Sequence, residues 1–335
     1  MKHLLLLALF AAPAALLTAQ TEQTIIDRAQ QQPAPPRPPG EAGSVTVAPG
    51  DADAGNQRIA EPRKLPFKLY VAYDAQVYYT DNVNLVPSSQ TEDYALIVAN
   101  TLALRAEFKS WAVGEGLLTP SVGFNFQRFY HGVGSNDHED LDFDSYSVPL
   151  SLRYRFGANW EATLGFAGSS IYSLEGPPKY HLIFRSYSPS LSLRKLIGFG
   201  QNQILSLGTG LSYAFTKADR DGIPPILSFR DDRNDKIEFS TDIAYYYLHG
   251  KWVAGPYARL SYSDYSHYQE GAFNDVDRRD ITGSVGLSIS YNFTPWASAR
   301  AFTSYDWRNP QGDSPVDYSY KTTNAGLGVT LSASF

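Results

Sequence analysis

The chain has 335 residues and a formal net charge of −6, and it contains no cysteine. The acidic balance and the lack of any basic cluster exclude a nucleic-acid partner, because affinity for phosphates rests on Lys and Arg. Disulfides and thiolate metal sites are excluded as well. The 23 Tyr and 18 Phe beside a single Met fit a membrane barrel better than a soluble enzyme.

The N-terminal region divides into an export signal and a leader. Lys2 precedes the apolar run Leu4–Leu17, and a small-residue cleavage site follows at Ala19. This run is shorter than the ~20 residues of a membrane-spanning helix, so residues 1–19 are predicted to be a secretory signal peptide. Residues 20–65 are predicted to be a disordered, Pro-rich periplasmic leader, because they have little to bury. A docking tether for a periplasmic partner is the alternative role of this leader.

From Pro66 onward, apolar and polar residues alternate almost continuously, as in Ile281–Phe293. A period of two places one set of side chains on each face of a strand, and no segment shows a helical period. Residues 66–335 are therefore predicted to form an all-β, transmembrane, antiparallel up-and-down β-barrel of about 12 strands (range about 10–14). The alternating runs begin near Phe67, Tyr94, Leu118, Ser145, Trp160, Tyr180, Gln203, Lys236, Trp252, Ile281, Trp296 and Ala325.

The connections between these runs alternate between short and long. In outer-membrane barrels the periplasmic turns are short and the external loops are longer. This parity predicts a cell outer membrane location, with both termini periplasmic after signal cleavage. The short connections are 157–159, 248–250 and 294–295, and the long ones are 81–93, 131–144, 217–235, 266–279 and 308–317.

Tryptophan placement predicts the same orientation. Trp111, Trp160, Trp252 and Trp296 lie at or just after the predicted periplasmic turns. Aromatic rings prefer the membrane interface, so these residues are predicted to form the inner aromatic girdle.

Four prolines fall inside predicted strands, where each removes a ladder hydrogen bond. We expect bulges, or strand ends placed differently, at these positions. The prolines are Pro120, Pro149, Pro189 and Pro256.

The last strand, Ala325–Phe335, is apolar on one face and small or polar on the other. Leu327, Val329 and Leu331 are predicted to face outer-membrane lipids and lipopolysaccharide. With the terminal Phe335 they look like the C-terminal signal by which the β-barrel assembly machinery recognises its substrates.

Taken together, the signal, the leader, the alternating strands, the segment Thr80–Leu85 and the terminal Phe resemble the putative β-barrel porin 2 group of Gram-negative outer-membrane proteins. The resemblance covers about residues 66–335. It implies an outer-membrane barrel, sometimes linked to exopolysaccharide clusters, and it supplies no catalytic residues.

Charged residues that face inward by parity are the permeation candidates, since a charge facing lipid at mid-depth costs ~2–4 kcal/mol. If they are solvated, they form the field of a pore for small polar solutes or ions, which is the favoured function. If they are paired, the barrel is plugged and serves envelope structure or exopolysaccharide export. The candidates are Arg105, Glu107, Arg153, Arg155, Glu238, Asp242, Arg300, Asp306 and Arg308.

An outer-membrane lipid hydrolase is the less favoured alternative. His131 and Ser135 do not have the spacing of a His-x-Ser pair on one strand face, so we predict a non-enzymatic protein without a cofactor. The acidic segment from His131 to Ser145 could bind a divalent cation through carboxylates, but a solvated anionic loop is the simpler interpretation. We therefore assign no metal site.

Overall fold

The alternating sequence forms strands throughout the computed structural model. The structure describes residues 25, 28–29, 66–87, 93–133, 138–175, 180–218, 230–267, 269–270, 274–275, 277–311 and 319–335. The strands are β1 (Phe67–Thr80), β2 (Ala95–Phe108), β3 (Trp111–Val113), β4 (Gly116–Tyr130), β5 (Phe143–Phe156), β6 (Trp160–Ser173), β7 (His181–Phe199), β8 (Gln203–Ala218), β9 (Lys236–His249), β10 (Trp252–Tyr265), β11 (Gln269–Glu270), β12 (Asn274–Asp275), β13 (Arg278–Thr294), β14 (Ala297–Pro310) and β15 (Tyr320–Ser334).

The long strands form one closed cylinder. Each pairs antiparallel with its neighbours in chain order, β15 pairs with β1, and β2 pairs with β4. The short β3 extends β2 along β4, and β11 and β12 form a small separate hairpin. The predicted all-β up-and-down barrel of 12 strands is confirmed.

The two ends of the barrel differ in the length of their connections. At one end, here called the short-turn end, strands are joined by two or three residues at 114–115, 157–159, 200–202, 250–251 and 295–296. Gly114, Gly157, Gly200 and Gly250 have φ between 49° and 67° there, a region that glycine adopts without strain. The opposite end, the long-loop end, carries the longer connections, in agreement with the predicted parity.

Pro120 lies beside a β-bulge, as expected. Two successive pairs of this ladder are Glu107–Ser121 and Trp111–Leu118. Three residues separate them on the β2–β3 side, but only two residues separate them on β4. Pro120 is one of those two, so the proline coincides with a local break in the ladder.

The expectation of a bulge or a strand end is wrong for the other three prolines. Pro149, Pro189 and Pro256 each keep their pairing on one side, and two consecutive pairs are missing on the other side. The register is the same before and after each gap. A single missing N–H therefore interrupts one ladder locally without shifting the strand.

The barrel wall has an apolar outer face and a polar inner face. Leu164, Leu327 and Val77 on the outer face are 45–66% exposed, whereas Asp74 and Asn324 on the inner face are at most 6% exposed. No helix in the described part of the chain is long and apolar enough to cross a membrane.

The lumen at the long-loop end is filled by buried apolar side chains. Three residues of the predicted leader, Ile25, Arg28 and Ala29, are helical and lie within this region. The other leader residues lie outside the described part of the chain, and the predicted disorder of the leader stays a prediction. The buried cluster comprises Ile25, Tyr78, Val83, Ala95, Ile97, Ala99, Phe129, Leu141, Phe143, Ile171, Ile183, Phe184 and Phe302.

Candidate functional site

A row of directly paired positions carries charges around half of the lumen. Following the ladder from β5 to β10, the paired residues are Arg155, Glu161, Arg194, Gly208, Asp242 and Arg259. Because paired residues in a ladder point to the same face, the five charged side chains all face inward. We call Arg155, Glu161, Arg194, Asp242 and Arg259 the charge belt.

Gly208 allows the belt to continue across β8. A Cβ atom at this position would collide with the carboxylate of Asp242, which lies over the glycine. Asp242 Oδ2 thereby comes within 4.0 Å of Arg194 Nη2 on the far side of β8. At the other end of the belt, Arg155 Nε lies 3.0 Å from Glu161 Oε2.

The cations of the belt are more exposed than its carboxylates. The side chains of Arg155, Arg194 and Arg259 are 60%, 51% and 55% exposed, against 22% for Glu161 and 39% for Asp242. Guanidinium groups that keep this much contact with solvent are available to an ion or solute. The belt therefore presents a net positive surface to the lumen.

A second ionic network adjoins the belt and is formed by residues of β2 and β5. Arg153 pairs with Glu107 and lies 3.7 Å from Glu161, which joins the two networks. Arg105 lies 3.8 Å from Glu107, and its guanidinium carbon is 4.9 Å from the centre of the Tyr70 ring. The side chain of Arg105 is 42% exposed and that of Glu107 only 15%, so this network also covers its carboxylate and exposes a cation.

Between the networks and the long-loop end, a partly buried Arg300 pairs with a buried Asp74. Arg300 Nη2 donates to Asp74 Oδ2 over 2.7 Å, and the two side chains are 14% and 8% exposed. Gln76 and Thr330 also donate to Asp74. These bonds satisfy the carboxylate, so this pair is structural rather than part of an open surface.

The long-loop end holds a fully buried ionic triad. Arg278 Nη2 lies 2.9 Å from Asp280 Oδ2, and Arg308 Nε lies 3.1 Å from the same oxygen. All three side chains are at most 6% exposed. The guanidinium of Arg278 also lies 4.1 Å from the centre of the Tyr265 ring.

The predicted permeation candidates fall into two groups. Arg105, Glu107, Arg153, Arg155, Glu238 and Asp242 belong to the belt or to ion pairs beside it; Glu238 lies 3.1 Å from Lys236 and 3.6 Å from Arg259. Of the other three candidates, Asp306 and Arg308 are buried and Arg300 is partly buried. Arg300 and Arg308 are in the groups just described, and Asp306 accepts hydrogen bonds from Ser304 and Asn324.

Several inward residues were missed by the sequence analysis although the same parity identifies them. Arg194 continues the alternation of Ser190 and Ser192, and Arg259 and Glu161 also occupy inward positions of their strands. Asp74 also occupies an inward position of its strand and was not among the candidates. No strand pattern points to Arg28, because it belongs to the leader.

The acidic connection after β4 is tied down by structural contacts. The backbone N–H of His131 donates to Asp142 Oδ1 over 2.6 Å, and Asp144 forms a two-point pair with Arg128. Burial of the His131 ring lowers its pKa, although Asp142 acts in the opposite direction. Ser135 lies outside the described residues. Within the described part of the chain, no group of three or more His, Cys, Asp or Glu residues could hold a metal ion.

The predicted girdle residues are exposed at the short-turn end. Trp111, Trp160, Trp252 and Trp296 are 37–55% exposed, and each lies within a few residues of a short turn. Lys195 lies 4.8 Å from the centre of the Trp160 ring.

The C-terminal strand closes the barrel. Leu327, Val329 and Leu331 are 42–66% exposed on the outer face, where they pair with residues of β1. Phe335 exchanges two backbone hydrogen bonds with Leu69. Its role as an assembly signal stays a prediction.

The chain matches no protein-family model and no curated protein. Among solved structures, it is similar to the COG4313 outer membrane channel from Pseudomonas putida F1, at 14% identity and a TM-score of 0.49, over 84% of this chain and 100% of that one. The KdgM porin in complex with disordered oligogalacturonate is 13% identical, with a TM-score of 0.39 over 78% and 98% of the two chains. The translocator domain of the autotransporter NalP from Neisseria meningitidis is 13% identical, with a TM-score of 0.42 over 80% and 89%. The likeness concerns the barrel architecture, which the strand pairing already establishes.

Proposed function

We propose that the protein is an outer-membrane channel through which small polar solutes and ions diffuse passively, with a preference for anions. The charge belt is the observation that carries this proposal. Its three arginine side chains are more than half exposed although they point into the barrel. Charges that were packed into a solid interior would instead be buried and paired, as in the Arg278–Asp280–Arg308 triad.

The preference for anions follows from which charges are exposed. A unit charge about 5 Å from an ion in water interacts with it by roughly 0.8 kcal/mol, equivalent to about a fourfold change in local occupancy. The belt has three cations and two carboxylates, and each carboxylate is less exposed than any of the cations. Anions are thus enriched near this part of the lumen relative to cations.

The proposed location is the outer membrane of a Gram-negative cell, within the putative β-barrel porin 2 group. The apolar outer face and the exposed tryptophans at the short-turn end support a membrane position with that end towards the periplasm. After cleavage at Ala19, both termini would lie on the periplasmic side. Outer-membrane lipids and lipopolysaccharide would contact the outer face, and the assembly machinery would bind the last strand. The Pro-rich part of the leader is the proposed contact for a periplasmic partner.

A non-conducting barrel that serves envelope structure or polysaccharide export is the second candidate. The apolar cluster that fills the long-loop half of the lumen favours it. An enzymatic function has no comparable support in the described residues.

Ion selectivity of the refolded full-length protein in a planar bilayer tests the channel proposal. Under a salt gradient, the reversal potential should indicate anion preference. Arg194→Ala combined with Arg259→Ala should reduce the anion-to-cation permeability ratio by about fourfold or more, given the interaction energy of each charge. Arg279→Ala is the matched control, since Arg279 is 46% exposed on the outer face.

Two results would contradict the proposal. One is the absence of conductance steps from protein shown to be folded by its heat-modifiable mobility on gels. The other is a reversal potential that the belt substitutions change no more than Arg279→Ala does.

A further inference from the structure

The leader residues inside the lumen lie on one face of a helix. Ile25, Arg28 and Ala29 have the spacing i, i+3 and i+4, which places their side chains next to one another. Ile25 is 2% exposed and Arg28 is 8% exposed. This face of the leader is therefore in contact with the barrel interior.

Arg28 binds oxygen atoms at the long-loop end of β1. Its Nε donates to the carbonyl of Val83 over 3.0 Å, and Nη2 donates to the carbonyl of Asn82. Both terminal nitrogens also lie 3.4 Å from Thr80 Oγ1. A buried guanidinium is costly unless its N–H groups are paired, and here the barrel provides three acceptors for it.

These acceptors are held in place by bonds that do not involve the leader. Asn82 Nδ2 donates to the carbonyl of Val86, and Asn82 Oδ1 accepts from the Val86 N–H, which fixes the turn after β1. Asn82 Nδ2 also donates to the carbonyl of Lys321, and Thr80 Oγ1 is 2.9 Å from Thr322 Oγ1. The turn thus presents its acceptors to the lumen in a fixed arrangement, as a built binding site does.

Ile25 occupies the apolar part of the same region. It belongs to the buried cluster to which β1, β2, β4, β5, β6, β7 and β14 all contribute, and Ala29 packs against that cluster. The side chain therefore contacts an apolar surface assembled from several strands.

We propose that the long-loop half of the lumen is a binding site for a helix with an aliphatic residue and an arginine three positions apart, and that the chain's own leader occupies it. Thr80, Asn82 and Val83 bind the guanidinium, and the apolar cluster binds Ile25. While the leader is bound, this half of the lumen is closed. The binding site itself is independent of the proposed channel function; only the effect on permeation rests on it.

Thiol labelling of the full-length protein tests the site directly, because the native chain has no cysteine. Ile25→Cys in the folded protein should react with a maleimide about tenfold more slowly than Arg37→Cys, a control position in the Pro-rich leader, because local opening must precede the reaction. Ala29→Cys provides a second reporter on the same helix face. Adding Arg28→Glu, which places a carboxylate against the carbonyl oxygens of Asn82 and Val83, should raise the rate at position 25 to that of the control.

Equal labelling rates at positions 25, 29 and 37 in folded protein would overturn the proposal. Conductance separates it from the channel proposal: Arg28→Glu should raise the open fraction in a planar bilayer, and Arg37→Glu should leave it unchanged. Slow labelling at position 25 together with silence from every variant would support the leader site and contradict the channel. Conductance that is identical in both variants would overturn the closure of the lumen by the leader.

Discussion

Arginines and carboxylates line both halves of the lumen, but the exposed fraction of these side chains differs between the halves. In the long-loop half, the side chains of Arg278, Asp280 and Arg308 are at most 6% exposed. In the belt, the arginines are more than half exposed. The difference shows that inward parity alone does not make a residue part of a permeation surface. What decides its role is whether neighbouring side chains remove it from water.

Removal of a carboxylate should have very different effects in the two halves. Asp280→Ala leaves Arg278 and Arg308 buried without their shared acceptor, and breaking a buried ion pair costs about 3–5 kcal/mol. Asp242→Ala should cost less than about 1 kcal/mol, because its partner Arg194 remains solvated. Urea unfolding in detergent micelles measures both changes. If both variants lowered the free energy of unfolding by a similar amount, the carboxylates of the two halves would not differ in their contribution to stability.

A cavity in the filled half should also be costly. Ile97 is fully buried inside the barrel, so Ile97→Ala should lower the free energy of unfolding by about 2–5 kcal/mol. Its neighbour Leu96 points outward and is 40% exposed, so Leu96→Ala should cost below about 1 kcal/mol. The same urea titration compares them. A small effect at position 97 would indicate water rather than packed side chains in that half.

The smallest expected effect is a pH dependence from the long-loop end. Burial lowers the pKa of His131 from its ordinary value of 6.5, so the unfolded chain binds this proton more readily than the folded protein. Above pH 6.5, His131 is neutral in both states and does not reduce the free energy of unfolding. As the pH falls below 6.5, protonation of the unfolded chain lowers the free energy of unfolding by at most about 1.4 kcal/mol per pH unit.

His131→Gln should flatten this part of the stability profile between pH 7 and pH 5. A slope that survives His131→Gln would assign the effect to another group.

Most of the fold was predictable because a strand pattern is local. The alternation from Ile281 to Phe293 fixes which side chains face inward, and the lengths of the connections fix the order of the ends. The effect of the prolines was harder to predict, because it depends on which of the two neighbouring strands loses its hydrogen bond to the missing N–H. Pro149 and Pro189 remain in their strands because each gap affects one ladder only.

The candidate site was predictable only in part. Parity identifies Arg155 and Asp242 as inward residues, but the approach of Asp242 to Arg194 depends on the glycine between them in the neighbouring strand. The sequence shows a glycine at position 208, but it does not show which residues of the neighbouring strands lie opposite it. Arg28 could not be predicted as a site residue for a different reason. Its segment has no strand pattern, and its partners lie more than fifty positions away in the chain.

Closure of the barrel has a topological consequence for the leader. The seam joins the first and last strands, with Tyr70 opposite Ser334, so it pairs residues that are very far apart in the chain. Ile25 and Arg28 precede the first strand, and the surrounding wall is continuous once the seam forms. From then on the segment can leave only along the cylinder axis, because sideways release would require parting two strands and all the hydrogen bonds between them. Enclosure thus adds a kinetic barrier to whatever affinity the site provides.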